Sequence, residues 1–436
     1  MEIGTSEIAY PLTFRRQEAQ ALGEHLHHRH SVDLVGMKRV GISNFLRYFL
    51  YHPQVKPAFI SKDEKHLFIR VDLNDLVERE LYAFWMLTFK RIIDEVERSH
   101  LPTSIQQKVA GTFLSSIQTN DLFLLIDAIR RSLTLIVLEG FYPTIFFLRF
   151  DRIKDVVTPE FFDNLQGLRD GSHGKLAYVF TSYRSLDALS PKALPKADLS
   201  AFYHTMFIRP SQDLDMQVIA DSYKSRYALQ FSSAIEKELF TLVGGNVQYL
   251  QLALIVLKEH KDVPLKTKEQ LATLLLQDER INLYSEELWE SLTTSEKHAI
   301  GNIYQGIELS EEEEKAAEYI FQTGFISKDK KAMMLFSPLF AHYVKHALEH
   351  VGKKEKELVF SKKEHLLFSL LKEKVGQICE RDTIIEAVWP EYVEFGVSDW
   401  SIDRLVARVR GKLKKQASPY EIRTIRTRGY MLTERV

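Results

Sequence analysis

One cysteine, Cys379, occurs in 436 residues. A lone thiol cannot close an intrachain disulfide, and nothing in the chain asks for an oxidising compartment. No run approaches the roughly 18 apolar residues that a membrane-spanning helix needs. The longest, "LEGFYPTIFFLRF", is interrupted by Glu139, Gly140 and Pro143. The opening "MEIGTSEIAYPLTF" lacks a basic segment followed by an apolar one, so no signal peptide is expected. Net charge is nearly absent as well, with 58 Lys+Arg against 59 Asp+Glu. No internal repeat and no low-complexity tract interrupts the chain. These absences argue against a disulfide-stapled secreted scaffold and a helical membrane protein. The expectation is a multidomain cytoplasmic protein with no membrane partner.

The even charge balance conceals an asymmetry. Residues 353–436 hold 18 Lys+Arg against 13 Asp+Glu, and the remainder holds 40 against 46. A basic tail on an acidic body points to a polyanion-binding module at the C-terminal end. Upstream, residues 12–30 read as a helix, "SVDLV" as a short buried strand and "ISNFLRYFLYH" as a helix. "HLFIRVDLND", "PTIFFLRFDRI" and "KLAYVFTSYRSL" read as further strands, with helices over 77–98 and 119–138 between them. Strands alternating with helices predict βαβ units and a parallel sheet. From 215 to 284 helical patterns dominate, and from 285 to 350 a helix, a hairpin-like stretch and a second helix follow. The layout expected is an α/β core over 1–215, a helical lid over 216–284 and a small unit over 285–351. A charged linker over 352–357 and a final domain over 358–436 complete it.

The chemistry-bearing stretch of the core is "VDLVGMKRVGISNFLRYF", residues 32–49. A phosphate-binding loop needs GxxxxGK[ST] between a strand and a helix. Its glycines let backbone N–H groups wrap the phosphates, its lysine reaches the outer oxygens and its hydroxyl holds magnesium. Gly36 and Gly41 have that spacing and Ser43 takes the hydroxyl position, but Ile42 stands where the lysine belongs. Lys38 and Arg39 lie inside the loop and offer positive charge from another direction. An ordinary βα turn is the competing reading. Asp151, after an apolar run, is placed to hold magnesium through water, or else is a turn acid. Arg152 follows it where a water-orienting glutamate is expected. Thr181, Ser182 and Arg184 end a further strand, in the place of a γ-phosphate sensor. His25, His27, His28 and His30 cluster before the first strand; with no cysteine or carboxylate to complete a tetrad, they read as a solvated helix end rather than a zinc site.

These segments together resemble the STAND-type and archaeal-type branch of AAA-like P-loop ATPases over the first 350 residues. "FRRQEAQAL" (14–22) resembles the stretch that opens such domains, and "GMKRVGISNFLRYF" resembles their GxRRxGKTSLL loop. "FDRI" and "FTSYRSL" resemble their acidic strand end and sensor strand, and "GGNVQYLQLAL" (244–254) the GGNPxYLQ element that begins the lid. "FSPLFAHYV" (336–344) resembles the end of a small winged-helix-like domain. The resemblance implies a P-loop NTPase core binding ATP or ADP with Mg. Arg15 would lie near the adenine, with Gly36, Lys38, Arg39, Gly41, Ser43, Asn44, Ser182 and Arg184 around the nucleotide and Ser43 and Asp151 at the metal. Ile42 and Arg152 depart from the family pattern, which implies weakened binding and deficient hydrolysis.

The tail carries its own signal. "FSKKEHLLFSLL" reads as a helix with a Ser361–Glu364 capping-box pattern, preceded by a strand at 358–360. A turn at Gly376, a second helix and then "VSDWSIDRLVARVRGKLKK" follow. In that third helix Ile402, Leu405, Val406, Val409 and Leu413 share one face, and every charge from Arg404 to Lys415 is positive. "YEIRTIRTRGYML" closes the chain as a hairpin with Arg426 and Arg428 at its tip. A helix with an apolar back and a basic front, beside a basic hairpin, suits the major groove of double-stranded DNA and its flanking phosphates. A solvated amphipathic helix would explain the helix but not the hairpin. The segment resembles the OmpR/PhoB-type winged-helix domain over its full length. The resemblance implies that Trp400, Ser401, Arg404, Ala407 and Arg408 face groove or phosphates, with Lys412 and Arg423 beside them and Arg426 and Arg428 at the wing tip. Trp400 stands where an arginine is usual, and Gly411 where a basic residue is common. No phosphoacceptor receiver domain is visible upstream. The expected function is a DNA-binding regulator that pairs on DNA as a homo-oligomer. Its core would serve as a nucleotide-sensing switch, and a protein partner would meet the middle winged-helix unit. The alternative is an active STAND-like ATPase in stress or phage defence, with the tail as a recruitment module.

Overall fold

The computed structural model describes residues 6–193, 203–260, 267–329, 332–351, 362–389, 399–415, 418–425 and 428–434. The chain divides into two compact units, 1–346 and 347–436. No helix among the described residues is long and apolar enough to cross a membrane.

The first unit opens with α1 (Arg16–His27), β1 (Val32–Val35), α2 (Ile42–Tyr51), α3 (Val55–Phe59) and β2 (Lys65–Asp72). It continues with α4 (Leu81–Arg98), α5 (Thr103–Thr119), α6 (Leu122–Leu138), β3 (Phe141–Leu148), α7 (Pro159–Gly171), β4 (Ala177–Ser182), α8 (Leu186–Leu189) and β5 (His204–Phe207). The five strands form one parallel sheet in the order β2-β3-β4-β1-β5. β1 therefore sits inside the sheet, and the turn after it opens at the sheet's carboxyl edge. That is where α/β folds of this kind place ligands. This strand order, with a glycine turn between β1 and α2, is a P-loop NTPase-like core. α4 and α6 pack on β2 and β3, and Phe84, Phe147, Phe150, Phe161 and Phe180 interlock in the resulting core.

The expected first helix is shorter than its sequence pattern. Arg15 takes a left-handed backbone (φ 43°) and its N–H bonds to Asp215 Oδ1 at 2.8 Å, so the helix starts only at Arg16. Several elements escape the sequence reading, α3, α5, α7, α8 and β5 among them. α5 is polar along much of its length, and β5 is a four-residue edge strand whose first two residues are exposed, so it shows no apolar alternation.

Helices follow: α9 (Asp213–Tyr227), α10 (Ser233–Val243), α11 (Val247–Glu259), α12 (Lys268–Gln277), α13 (Glu279–Glu290), α14 (Thr294–Tyr304), α15 (Glu311–Ala316) and α16 (Glu318–Gln322). An antiparallel hairpin of β6 (Ile326–Asp329) and β7 (Ala332–Leu335) leads into α17 (Pro338–Val351). The second unit holds α18 (Lys362–Glu373), β8 (Ile378–Glu380), α19 (Arg381–Val388), α20 (Asp399–Lys415), β9 (Tyr420–Ile425) and β10 (Gly429–Glu434). Its three strands pair antiparallel in the order β8-β10-β9 behind three helices, a winged-helix arrangement. The expected strand at 358–360, the linker 352–357 and Ser361 of the capping-box pattern lie outside the described residues.

β1 carries a carboxylate in the middle of the sheet. Asp33 is fully buried; its Oδ2 accepts from the Leu186 N–H at 3.0 Å, and its Oδ1 has no partner among the described residues. Burial pushes its pKa from the ordinary 3.8 up to about 8. The folded chain thus holds this proton more tightly than the unfolded chain. Its contribution is fully present below about pH 4 and is lost as pH rises towards about 8. Asp33→Asn keeps the acceptor for Leu186 and removes the ionisation. Its urea midpoint is expected to stay flatter than that of the wild type between about pH 5 and 8, where the wild-type midpoint declines; parallel declines in both proteins would contradict the assignment.

Candidate nucleotide loop and nucleic-acid interface

The loop between β1 and α2 is shaped for phosphate but occupied by the chain itself. Gly41 adopts φ 119° and packs so closely on the first residue of α11 that an added Cβ would meet Val247 Cγ2 at 2.6 Å. Arg39 is also left-handed (φ 59°). The first N–H groups of α2 lack intrahelical partners, as at any helix start, which is the usual anion-facing feature of such loops. Ile42, however, lays its Cδ1 against Gly36, within 3.2 Å of where a Cβ would stand. Lys38 and Arg39 both face Glu287 of α13, at 3.8 and 3.2 Å, and that carboxylate is almost wholly buried. The Tyr284 hydroxyl donates to the Lys38 carbonyl at 2.7 Å and accepts from Asn246 Nδ2 at 2.9 Å. Asn246, the last residue of the "GGN" element, also caps α11 through the Tyr249 N–H and contacts Met37 Sδ at 3.6 Å. The lid thus closes the loop with a tyrosine, an asparagine and a carboxylate. The residues in this arrangement do not fit a triphosphate: the position of the lysine is apolar and the two nearby cations already face an acid.

The other expected nucleotide residues are likewise engaged within the protein. Arg15 is 1% exposed; its guanidinium donates to Glu18, the Arg209 carbonyl and Ser211 Oγ, although Nη2 lies near Gly41. Asn44 turns away from the loop, its Nδ2 donating to Glu7 Oε1 at 3.0 Å. Ser43 is exposed at the start of α2. Ser182 Oγ donates to the Arg184 carbonyl. Arg184 binds Glu296 of α14 through two nitrogens at 2.5 and 2.6 Å, donates to the Ser291 carbonyl at 2.7 Å and lies 3.6 Å from the centre of the Tyr319 ring. Tyr319 in turn donates to the Tyr183 carbonyl, and Lys38 lies over the Tyr183 ring. Loop, sensor strand and small unit are therefore one connected network.

Asp151 does not stand on a strand end. β3 finishes at Leu148, Arg149 is left-handed (φ 60°), and Asp151 falls inside a 3-10 turn over Phe150–Ile153. Burial raises its pKa, opposed by the nearby charges of Lys38, Arg152 and Arg149. The strand-end carboxylate at this edge is Asp72 on β2, in register with Leu148 and bonded by Arg149 Nη1 at 2.5 Å. Sequence reading missed Asp72, Tyr284, Glu287 and Glu296. Glu287 of α13 and Glu296 of α14 sit inside helical patterns that look solvated, and only the fold shows that they turn inward.

In the second unit the apolar back of α20 sets its rotation. Ile402, Leu405, Val406, Val409 and Leu413 are buried against α18, α19 and the sheet, with the free Cys379 in the same core. Each such burial contributes roughly 1.5–3 kcal/mol, well above the 0–1 kcal/mol typical of a surface ion pair. The outward ridge is Asp403, Ala407, Gly411 and Lys414. The flanking cations divide into groups. Arg410 is held to the hairpin by the Ile422 carbonyl and Thr424 Oγ1, at 2.8 and 2.7 Å. Lys412 and Arg408 face the buried Glu364 of α18, at 2.5 and 3.6 Å. Arg404 and Lys414 have no acidic partner among the described residues. On the wing, Arg428 is 62% exposed and reaches Glu380 only at 4.0 Å.

The model of the family described as "Transcriptional regulatory protein, C terminal" matches residues 355–432. These residues are an OmpR/PhoB-type regulator domain. In that domain Ala407 and Arg428 are exposed, and Arg404 is partly buried. Arg423 is exposed but donates to Glu421 at 2.6 Å. Arg408 and Lys412 are shared with Glu364. Trp400 and Ser401 lie on the α20 backbone, but their side chains, like Arg426 as a whole, fall outside the described residues. No curated protein matches the chain. Among solved structures, the chain is similar to the Aeropyrum pernix ORC2 protein in its ADPNP–ADP complexes (12% identity, 78% of this chain, 94% of that one, TM-score 0.46). It is also similar to a Walker-type ATPase of Pyrococcus abyssi (17%, 78% and 100%, TM-score 0.45). A third is the Aeropyrum pernix ORC1 protein in complex with DNA (11%, 99% and 91%, TM-score 0.42). At that identity and superposition, the core's fold rests on its strand order rather than on these overlaps.

Proposed function

We propose that the chain is a DNA-binding transcriptional regulator whose P-loop-type core has become a self-closed switch that hydrolyses little or no ATP. One observation carries the DNA reading. The regulator domain presents Arg404, Lys414 and Arg428 around an outward ridge on which Ala407 and Gly411 are small enough to let a backbone approach base edges closely, while Asp403 of the same ridge is engaged by Arg381 and Tyr430. A single domain of this size makes few base contacts. Two copies on adjacent half-sites, as a homo-oligomer on DNA, would gain affinity through effective concentration.

In this reading the core and lid hold one packing through the contacts of Glu287 and Glu296. An input that separates lid from loop changes it; a protein partner meeting residues 285–351 is one such input. ATP or ADP with Mg is a weak ligand at most, because it would have to displace Glu287. With Ile42 and Arg152 in the positions of the lysine and the acid, hydrolysis is not supported.

Two experiments test this. In anisotropy titrations on a selected duplex, Arg404→Ala is expected to lose about 1–3 kcal/mol of sequence-specific affinity, and Lys414→Ala to lower the salt slope by about 1 with little change in sequence preference. A full-length protein that protects no site in footprinting, or an Arg404→Ala variant that binds unchanged, would sink the DNA reading. For the core, the wild type is expected to show no turnover above background. Glu287→Gln is expected to bind ATP a few-fold more tightly by calorimetry, as suits loosening one carboxylate's hold on two partly exposed cations. Rapid wild-type turnover abolished by Asp151→Ala would contradict the self-closed core.

A further inference from the structure

At the opposite edge of the sheet from the loop, the fold brings the distant His204 to two histidines that are neighbours in the sequence. His25 lies in the last turn of α1, His30 two residues before β1, and His204 begins β5, 174 residues after His30 in the chain. The parallel pairing of β1 with β5 sets His204 beside Val32, and the His204 N–H donates to the Ser31 carbonyl at 2.9 Å. The His30 N–H donates to the His25 carbonyl, also at 2.9 Å. Backbone bonds therefore fix all three positions without any help from the side chains. Ligand-capable nitrogens of the three rings all lie within 4.8 Å of one another, and His25 Nδ1 and His30 Nδ1 are 3.4 Å apart. Two nitrogens each at 2.0–2.1 Å from a tetrahedral zinc ion stand about 3.4 Å apart, so that pair already has the required spacing.

We propose that His25, His30 and His204 bind one zinc-class transition-metal ion that clamps β5 to the start of β1. The donor set is all imidazole, which suits Zn²⁺, Co²⁺, Ni²⁺ or Cu²⁺ and not Mg²⁺ or Ca²⁺. The ring of His204 stacks on that of His25, 4.9 Å between centres, and is exposed, so it can turn towards the ion. Water completes the fourth position, or His28, whose ring centre is 5.7 Å from that of His30. The rings are suited to the role in charge state as well. Burial first, and then the neighbouring histidines, lower the pKa of His25 and His30, leaving them neutral with lone pairs available near neutral pH. The other charges facing them are Glu24 and Arg169. The site is about 13 Å, four strand residues, from the loop at the far end of β1, so it is separate from any nucleotide chemistry.

The fold holds a second histidine pair that the experiment must separate from this one. His342 and His346 on α17 are exposed, with Nε2 atoms 3.1 Å apart. Untagged, chelator-treated full-length protein is titrated with ZnCl₂ and its bound metal counted by mass spectrometry. Bound Co²⁺ is read by its visible d–d absorption. One Zn²⁺ per chain is expected near pH 7.5, released as the imidazoles protonate below about pH 5.5. The His342→Ala/His346→Ala double variant is expected to keep that ion with a tetrahedral-type Co²⁺ spectrum. His204→Ala is expected to lose affinity by at least the roughly 10–100-fold known for disturbing a metal site's outer partners. His204→Asn and His30→Gln serve as second variants, each checked by circular dichroism for retained fold. No stoichiometric metal in the wild type, binding that follows His342 and His346, or unchanged affinity in folded His204 and His30 variants would each overturn the proposal.

Discussion

A buried carboxylate, Glu287, ties α13 to the phosphate-type loop. It comes from the lid, is almost completely withdrawn from water, and faces the two cations left in the phosphate-type loop. A buried charge is costly unless it is paired, so Glu287 holds Lys38 and Arg39 as firmly as they hold it. Tyr284, one turn earlier on the same helix, fixes the loop backbone through the Lys38 carbonyl. In the same loop the apolar Ile42 packs its Cδ1 towards Gly36. Arg184 and Glu296 do the same one layer out, joining the end of β4 to the small unit.

Much of this architecture was legible in the sequence, for identifiable reasons. β1 to β4 are buried, nearly continuous apolar runs, and such runs survive any local noise in propensity. The Gly36–Gly41 spacing and the basic, apolar-backed α20 are patterns within single segments. What remained hidden depended on distant pairing. β5 is an exposed edge strand, and its role appears only when it lies beside β1. Asp151 looked like a strand-end acid because Phe150 resumes the apolar run after Arg149; the left-handed turn at Arg149 ends the strand three residues earlier. Glu287 and Glu296 each read as the polar face of a helix and Glu364 as half of a capping box, and each is turned inward to meet a cation far away in the chain.

The same logic divides the basic charge of the C-terminal domain. Counting cations along α20 overstates what DNA would meet, because Glu364 and the hairpin each claim a share. Those internal contacts hold α20 against its partners, so its outward ridge is presented in a fixed orientation. Lys414 and Arg428 are left exposed, and Arg404 partly so. The chain thus joins a domain whose electrostatics are directed outward to a core whose charges are largely paired inward.

The most direct test is a genome-wide pull-down of DNA with the full-length protein, run with and without ATP–Mg. The account predicts a discrete set of enriched sites sharing one motif, with the same sites and near-equal recovery under both conditions. Recovery of no common motif, or site binding that appears only when ATP is supplied and hydrolysed, would contradict it.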